Sequence, residues 1–212
     1  MNEYKLMAPL YDVVLYPFVH QIRRHVLRIV RQLRPQKILD VCCGTGDQLR
    51  MLKRHGIEAV GIDLSPSMLS VSNRGEYAPN CLLQDATAMR FDDETFDLVM
   101  VSFALHEAGW SNAKRILEET HRVTAPHGHL LLVDYALDAF TKPWAKTVIS
   151  WIEFMAGRRH YRNFSAYRRR GGLNALVDED RFVSVRETRH GLNSIALRLL
   201  KKNMTVNSGF RP

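Results

Sequence analysis

Residues 40–47 read DVCCGTGD, overlapping the end of the apolar run KILDV (37–41) and opening a helical pattern that runs through Leu52. Glycines at 44 and 46 permit a tight turn from strand to helix and let the backbone approach a bound group, while the first amides of the helix stand free as donors. NAD-binding proteins use the same device, and a plain structural turn looks no different, so this stretch alone leaves the ligand open. Outward from it the chain alternates short apolar runs with helical patterns: EAVGID (58–63), NCLLQD (80–85), FDLVMVSF (96–103) and HLLLVDY (129–135), with helices after Ser65 and from about Ser111 to Val123. Continuous apolar strands of this kind imply a mostly parallel sheet covered on both faces.

Acidic residues stand at the ends of successive strands. Asp63 follows the second strand about 20 residues after the glycine turn, where a carboxylate can accept bonds from both hydroxyls of a ribose. Asp85 ends the third strand, in reach of an adenine amino group. Side by side, these carboxylates line one edge of the crevice where ligands bind in an open α/β sheet.

Before this core, Ile22, Val26, Ile29, Val30 and Leu33 share one helical face, and Pro35 closes the pattern. After it, a helix is expected near 143–157, followed by the basic RRHYRNFSAYRRRGG. Then come RFVSVRET and SIALRLLKK, two strands able to pair antiparallel across the turn at Gly191 and Asn193. The expectation is one α/β domain: a Rossmann-like, seven-stranded, mostly parallel sheet with helices on both faces and the last strand antiparallel. Its parts are a helical cap (1–36), a ligand-binding core (37–138), an insertion on the substrate side (139–180) and the C-terminal strands (181–212).

These motifs resemble the class I S-adenosylmethionine (SAM)-dependent methyltransferases, and among them the ubiquinone/menaquinone C-methyltransferase-like group. The resemblance is good over roughly residues 10–135. The first-strand motif of that family, acidic-x-Gly-x-Gly-x-Gly, is met by Asp40, Cys42, Gly44 and Gly46, with Cys42 in place of the first glycine. The resemblance implies SAM as cofactor, with Asp40, Thr45 and the loop around the methionine end, Asp63 on the ribose, and Asp85 with Ala86 at the adenine. Leu64 and Met68 are counted with the cofactor residues. FDLVMVSFALHE resembles the fourth-strand motif and so places Ser102 and Phe103 beside the sulfonium. APLYD (8–12) resembles the segment that folds over the cofactor, which brings in Tyr11 and Asp12.

On the acceptor side, His106 is positioned to take a proton and Tyr161 is named with it as a catalytic candidate; Glu107, Tyr135, Arg162 and Tyr167 are expected to border the substrate. Tyr161, Phe164 and Tyr167 recur at spacings of three among Arg162, Arg168, Arg169 and Arg170. That mixture suits an apolar ring near an anionic group, as in a quinone or phospholipid, and also a stacked base. A nucleic-acid methyltransferase is disfavoured, because the fourth strand ends in SFALHE and lacks the Asn/Asp-Pro-Pro-aromatic signature. A SAM-binding module without turnover is the remaining alternative.

Composition sets the outer bounds. No apolar run approaches the ~20 residues of a membrane span, and MNEYKLMAPLYD lacks the pattern of a secretion signal, so a cytoplasmic protein is expected. The three cysteines lack paired metal spacing; reduced thiols and no metal centre are expected. Residues 1–36 carry six basic and two acidic side chains, 37–140 nine and fifteen, and 141–212 fifteen and five. An acidic middle between basic flanks suggests peripheral contact with an anionic membrane surface.

Overall fold

The computed structural model describes the backbone of residues 4–203 and the side chains of residues 19–203. Helix α1 (Tyr4–Leu33) precedes a core of β1 (Ile38–Val41), α2 (Asp47–Lys53), β2 (Val60–Asp63), α3 (Pro66–Ser72), β3 (Asn80–Leu83) and β4 (Phe96–Ser102). After α4 (Leu105–Ala108), α5 (Trp110–Val123) and β5 (Thr124–Tyr135) come the inserted helices α6 (Pro143–Met155), α7 (Arg158–Arg169) and α8 (Gly172–Leu176). Strands β6 (Phe182–His190) and β7 (Ile195–Lys202) end the fold.

The seven strands lie in the order β3-β2-β1-β4-β5-β7-β6, the first five parallel, with β7 antiparallel to both β5 and β6. This is the expected architecture, including the hairpin after the insertion. Alternation along the strands sends side chains to two cores. Val99, Val101, Leu130 and Leu132 face one, shared with α5, α7 and α8; Leu98, Met100, Leu131 and Val133 face the other, shared with α1 and α2. Leu130 to Val133 are all buried, which is why this strand reads as an unbroken apolar run. Helix α1 docks through Ile22, Val26, Ile29 and Val30, the face expected from its periodicity.

The four-residue α4 just after β4 was not expected, whereas the arginine-rich segment folds into α7, a helix its aromatic spacing by threes implied. Helix α7 holds because Phe164 and Tyr167 bury one face of it while its arginines stay outside.

In α5, His121 packs its ring edge-on against Phe182 of β6, with centroids 5.3 Å apart, and its Nε2 is buried with no hydrogen-bond partner. Burial, helped by Lys202 and Arg181, pushes its pKa down to about 4. The unfolded chain takes up a proton near pH 6.5 that the folded chain refuses. Stability should therefore fall as pH drops from about 6.5 toward 4, by on the order of 1 kcal/mol for a half-buried ring. Urea unfolding at pH 7 and pH 5 checks this: His121→Phe should lose less stability between the two than the parent, and equal losses would remove His121 as the cause.

Candidate active site

A cavity of about 580 Å³ opens at the carboxyl ends of β1, β2, β3 and β4, where the strand order reverses. One end is bounded by Cys42, Asp63, Asp85 and Ala86, the other by Glu107 and by Arg159, His160 and Asn163 of α7. Just beyond their strands, Cys42 (φ 59°) and Phe103 (φ 54°) both take the left-handed conformation. For residues with a side chain this is strained, and such strain gathers where loops are shaped for a ligand.

The two glycines of the turn serve different ends. At Gly44 an added Cβ would meet nothing within 4 Å, so the loop presents bare backbone to open space. At Gly46 the same atom would lie 2.9 Å from Pro79 Cγ and 3.1 Å from Ser72 Cβ, so this glycine lets the turn pack on the α3–β3 layer. Asp63 braces the loop, with Gly44 N donating to Oδ2 and Ser65 N to Oδ1, each at 2.8 Å. Asp85 is exposed and accepts from Thr87 N and Thr87 Oγ1, which holds its carboxyl below the usual range.

Asp40 lies beneath the turn, 3% exposed. Burial above all, then Cys81, raises its carboxyl to about 7, with Asp63 adding to this and Arg23 opposing it. Burial and the surrounding carboxylates push the Cys42 thiol up, so it is a wall of the cavity and a poor nucleophile. Cys43, in the turn after β1, and Cys81 of β3 bring their sulfurs to 3.6 Å.

At the other end a chain of buried charge ties four elements together. Asp134, at the end of β5, accepts from Leu105 N (2.9 Å), from His106 N (3.3 Å) and from His106 Nδ1 (2.7 Å), fixing α4 against the sheet. His106 Nε2 lies 3.8 Å from Glu153 Oε2, the same oxygen that His160 Nε2 touches; His160 Nδ1 is 3.0 Å from Glu107. Burial works to lower both histidines, but the carboxylates outweigh it: His106 is raised, and His160 reaches about 9. Asn163 Nδ2 donates to Glu107 O at 2.7 Å and locks α7 to α4.

Of the residues expected at the site, Cys42, Asp63, Leu64, Asp85, Ala86 and Glu107 line the cavity. Asp40 and Gly46 lie buried behind it, and Gly44, Thr45, Met68, Ser102 and Phe103 are half-buried around it. His106 and Tyr135 are covered, their rings 4.8 Å apart. Tyr167 belongs to the core instead, 3% exposed and donating its hydroxyl to Tyr135 O at 2.7 Å, because burial of that face is what anchors α7. Tyr161 and Arg162 border a separate surface cleft with Ser165, since a turn of α7 carries them away from the cavity that His160 and Asn163 face. The side chains of Tyr11 and Asp12 lie outside the described residues.

His160, Asn163, Arg159 and Glu153 were not among the expected residues. Glu153 did carry a signal: it is the only acid between Asp138 and Asp178, and it continues the buried stripe of Ala145 and Ile149.

A family model described as "Methyltransferase domain" matches residues 39–132. The chain is 31% identical over 153 residues to the demethylmenaquinone methyltransferase of Thermotoga maritima, covering 69% of this chain and 65% of that one. To an uncharacterized methyltransferase of Synechocystis it is 30% identical over 173 residues, covering 81% and 78%. The chain spans less than two thirds of the length of the demethylmenaquinone methyltransferases it matches. The solved structure of magnesium protoporphyrin IX methyltransferase from Synechocystis, with bound SAH, has the same fold: TM-score 0.62 at 18% identity, over 86% of this chain and 83% of that one.

The division of labour between the two glycines can be measured. Gly44→Ala should cost only the ~1–2 kcal/mol of a left-handed alanine, whereas Gly46→Ala adds a clash with Pro79 and should cost a further ~1–3 kcal/mol. Equal midpoints in urea would refute the packing role of Gly46.

Proposed function

Because the chain belongs to the class I SAM-dependent methyltransferases, in their quinone-methyltransferase-like group, we propose that it methylates a quinone-type, lipid-like acceptor drawn from an anionic membrane surface. The observation that carries this reading is the continuous cavity that runs from Asp63 and Asp85 to α7 and takes in Ala156 and Gly157, directly after α6, a helix that leaves large apolar side chains in solvent.

The residues at the first end fit the donor. Asp63 keeps lone pairs for a ribose, Asp85 presents an exposed carboxylate to the adenine, and the open backbone at Gly44 admits the methionine portion. When bound, the sulfonium supplies a methyl group with the electron demand of a cation and leaves as a thioether. Transfer of this kind needs chiefly position and dryness, so the task of the chain is to hold the acceptor in line. Asn163 and Glu107 offer donors and acceptors of hydrogen bonds to a hydroxylated ring, and Ala104, Ala108 and Ile116 give it an apolar bed.

The surface around the cavity supports a lipid source. Helix α6 buries Ala145, Ile149 and Glu153, yet leaves Trp144 (56% exposed), Trp151 (63%) and Phe154 (56%) in solvent with Val148, Met155 and nearby Phe140. Lys142, Arg158 and Arg159 stand at its two ends. Tryptophan and phenylalanine ringed by cations are suited to the headgroup level of an anionic bilayer. Ala156 and Gly157, which line the cavity, follow directly on this helix. Among the described residues no helix is long and apolar enough to cross a membrane, so the contact would be peripheral.

Calorimetric titration tests the donor end. Asp63→Ala should weaken SAM by ~1.5–3 kcal/mol in a folded protein, the scale for losing charge-assisted bonds. Affinity should also decline as pH falls below about 7, since protonating Asp40 removes the carboxylate that answers the methionine ammonium, and Asp40→Asn should flatten that slope. Unchanged affinity in Asp63→Ala would sink the donor assignment.

Vesicle sedimentation tests the surface, and labelled SAM with a hydroxylated quinone lipid in the same vesicles tests the acceptor. Anionic vesicles should bind more chain than neutral ones, less so at high salt, and Trp144→Ser with Trp151→Ser should abolish most binding. Label in the lipid fraction is the expected outcome. Equal binding to both vesicle types, or label only in water-soluble compounds, would reject the lipid acceptor.

A further inference from the structure

His106 on α4 and His160 on α7 converge on one carboxylate, Glu153 of α6, from either side. Each imidazole has its Nδ1 engaged by a different acid, His106 with Asp134 at 2.7 Å and His160 with Glu107 at 3.0 Å. Both Nε2 atoms thereby turn toward Glu153 Oε2, that of His106 at 3.8 Å and that of His160 in close contact. The donor atoms of His106, Glu107 and His160 all lie within 4.8 Å of one another. Glu153 is fully buried, and among the described residues no backbone amide reaches its carboxylate; the two imidazole Nε2 atoms are what meet it.

A carboxylate withdrawn from water is expensive unless a cation meets it. Two imidazole nitrogens and one carboxylate form an established ligand set for a zinc-type ion. Tetrahedral bonds of ~2.0–2.1 Å set ligand atoms about 3.3 Å apart; His106 Nε2 at 3.8 Å from Glu153 Oε2 is near that spacing, while His160 Nε2, in close contact with the same oxygen, would move outward to admit the ion. An acid behind each ligating imidazole, fixing its tautomer and aim, is the usual outer support of such a site, and here Asp134 and Glu107 both supply it.

We propose that His106, His160 and Glu153 bind a divalent cation of the zinc type, with Asp134 and Glu107 orienting the two imidazoles. Because His160 and Glu107 line the cavity, the cation has an entry path and one coordination position facing the acceptor end. An oxygen of the acceptor would occupy that position and be polarised there. This last role rests on the methyl-transfer reading; the cation site does not, and it is measured without donor or acceptor.

The test uses the untagged full chain, stripped with a chelator and titrated with Zn(II) by competition and with Co(II) by absorption. One equivalent of Zn(II) should bind, and Co(II) should give the visible bands of nitrogen and oxygen ligation without thiolate charge transfer. Glu153→Gln and His160→Ala should each lower Zn(II) affinity at least tenfold with circular dichroism unchanged. His25→Ala, which removes the other close histidine pair (His25 Nδ1 to His190 Nε2, 3.0 Å), should leave it intact. The proposal is overturned by absence of saturable binding, by a thiolate band that assigns the metal to Cys43 and Cys81, or by affinity that follows His25 instead of Glu153. Should either cluster variant fail to fold, the Co(II) spectrum of the parent and the His25→Ala comparison still distinguish this cluster from the other donors.

Discussion

Strand β1 lies between β2 and β4, and the chain leaves β1 toward one side of the sheet and β4 toward the other. The loops after these two strands must diverge, and the gap between them is the crevice on which the rest of the site depends. The parallel register, with Asp40 opposite Met100 and Val41 opposite Val101, brings Cys42 level with Ser102, one residue before Phe103, and both Cys42 and Phe103 take a strained conformation. A sheet buried on both faces can hold that strain, because moving either loop would disturb packing in both cores.

Asp134 performs the corresponding task at the end of β5. Its two oxygens take bonds from Leu105 N, His106 N, His106 Nδ1 and Tyr135 N, so one carboxylate secures the start of α4 and the aim of a buried imidazole. From there negative and positive groups alternate through His106, Glu153 and His160 to Glu107. Each charge lies between opposite charges, which makes their common burial tolerable and binds the inserted helices to the core.

The insertion also divides its labour by helix face. Helix α6 gives Ala145, Ile149 and Glu153 to the interior and Trp144, Trp151 and Phe154 to the surface, so one helix supplies both the central carboxylate of the cluster and an exposed apolar face. Helix α7 buries Phe164 and Tyr167, turns His160 and Asn163 to the cavity, and leaves most of its arginines in solvent. The acidic core and basic insertion noted in the sequence are thus separate surfaces of one molecule.

Strand and helix order, the two-sided burial of β4 and β5, and the placing of Asp63 and Asp85 at one edge were all legible in the sequence, because periodicity and strand ends are local properties of the chain. The final hairpin was legible for the same reason, through the turn at Gly191 and Asn193. The acceptor end was only half legible. Spacing by threes marked an aromatic face on α7, but whether that face meets a cavity or the core depends on how α7 is rotated, and that rotation is set by packing on β5 and α4. Tyr167 therefore went inside and His160 came to the cavity. Only the tertiary structure joined His106, Glu153 and His160, which lie on three separate helices. No local pattern encodes such a meeting; it exists because the packed sheet fixes where those helices cross.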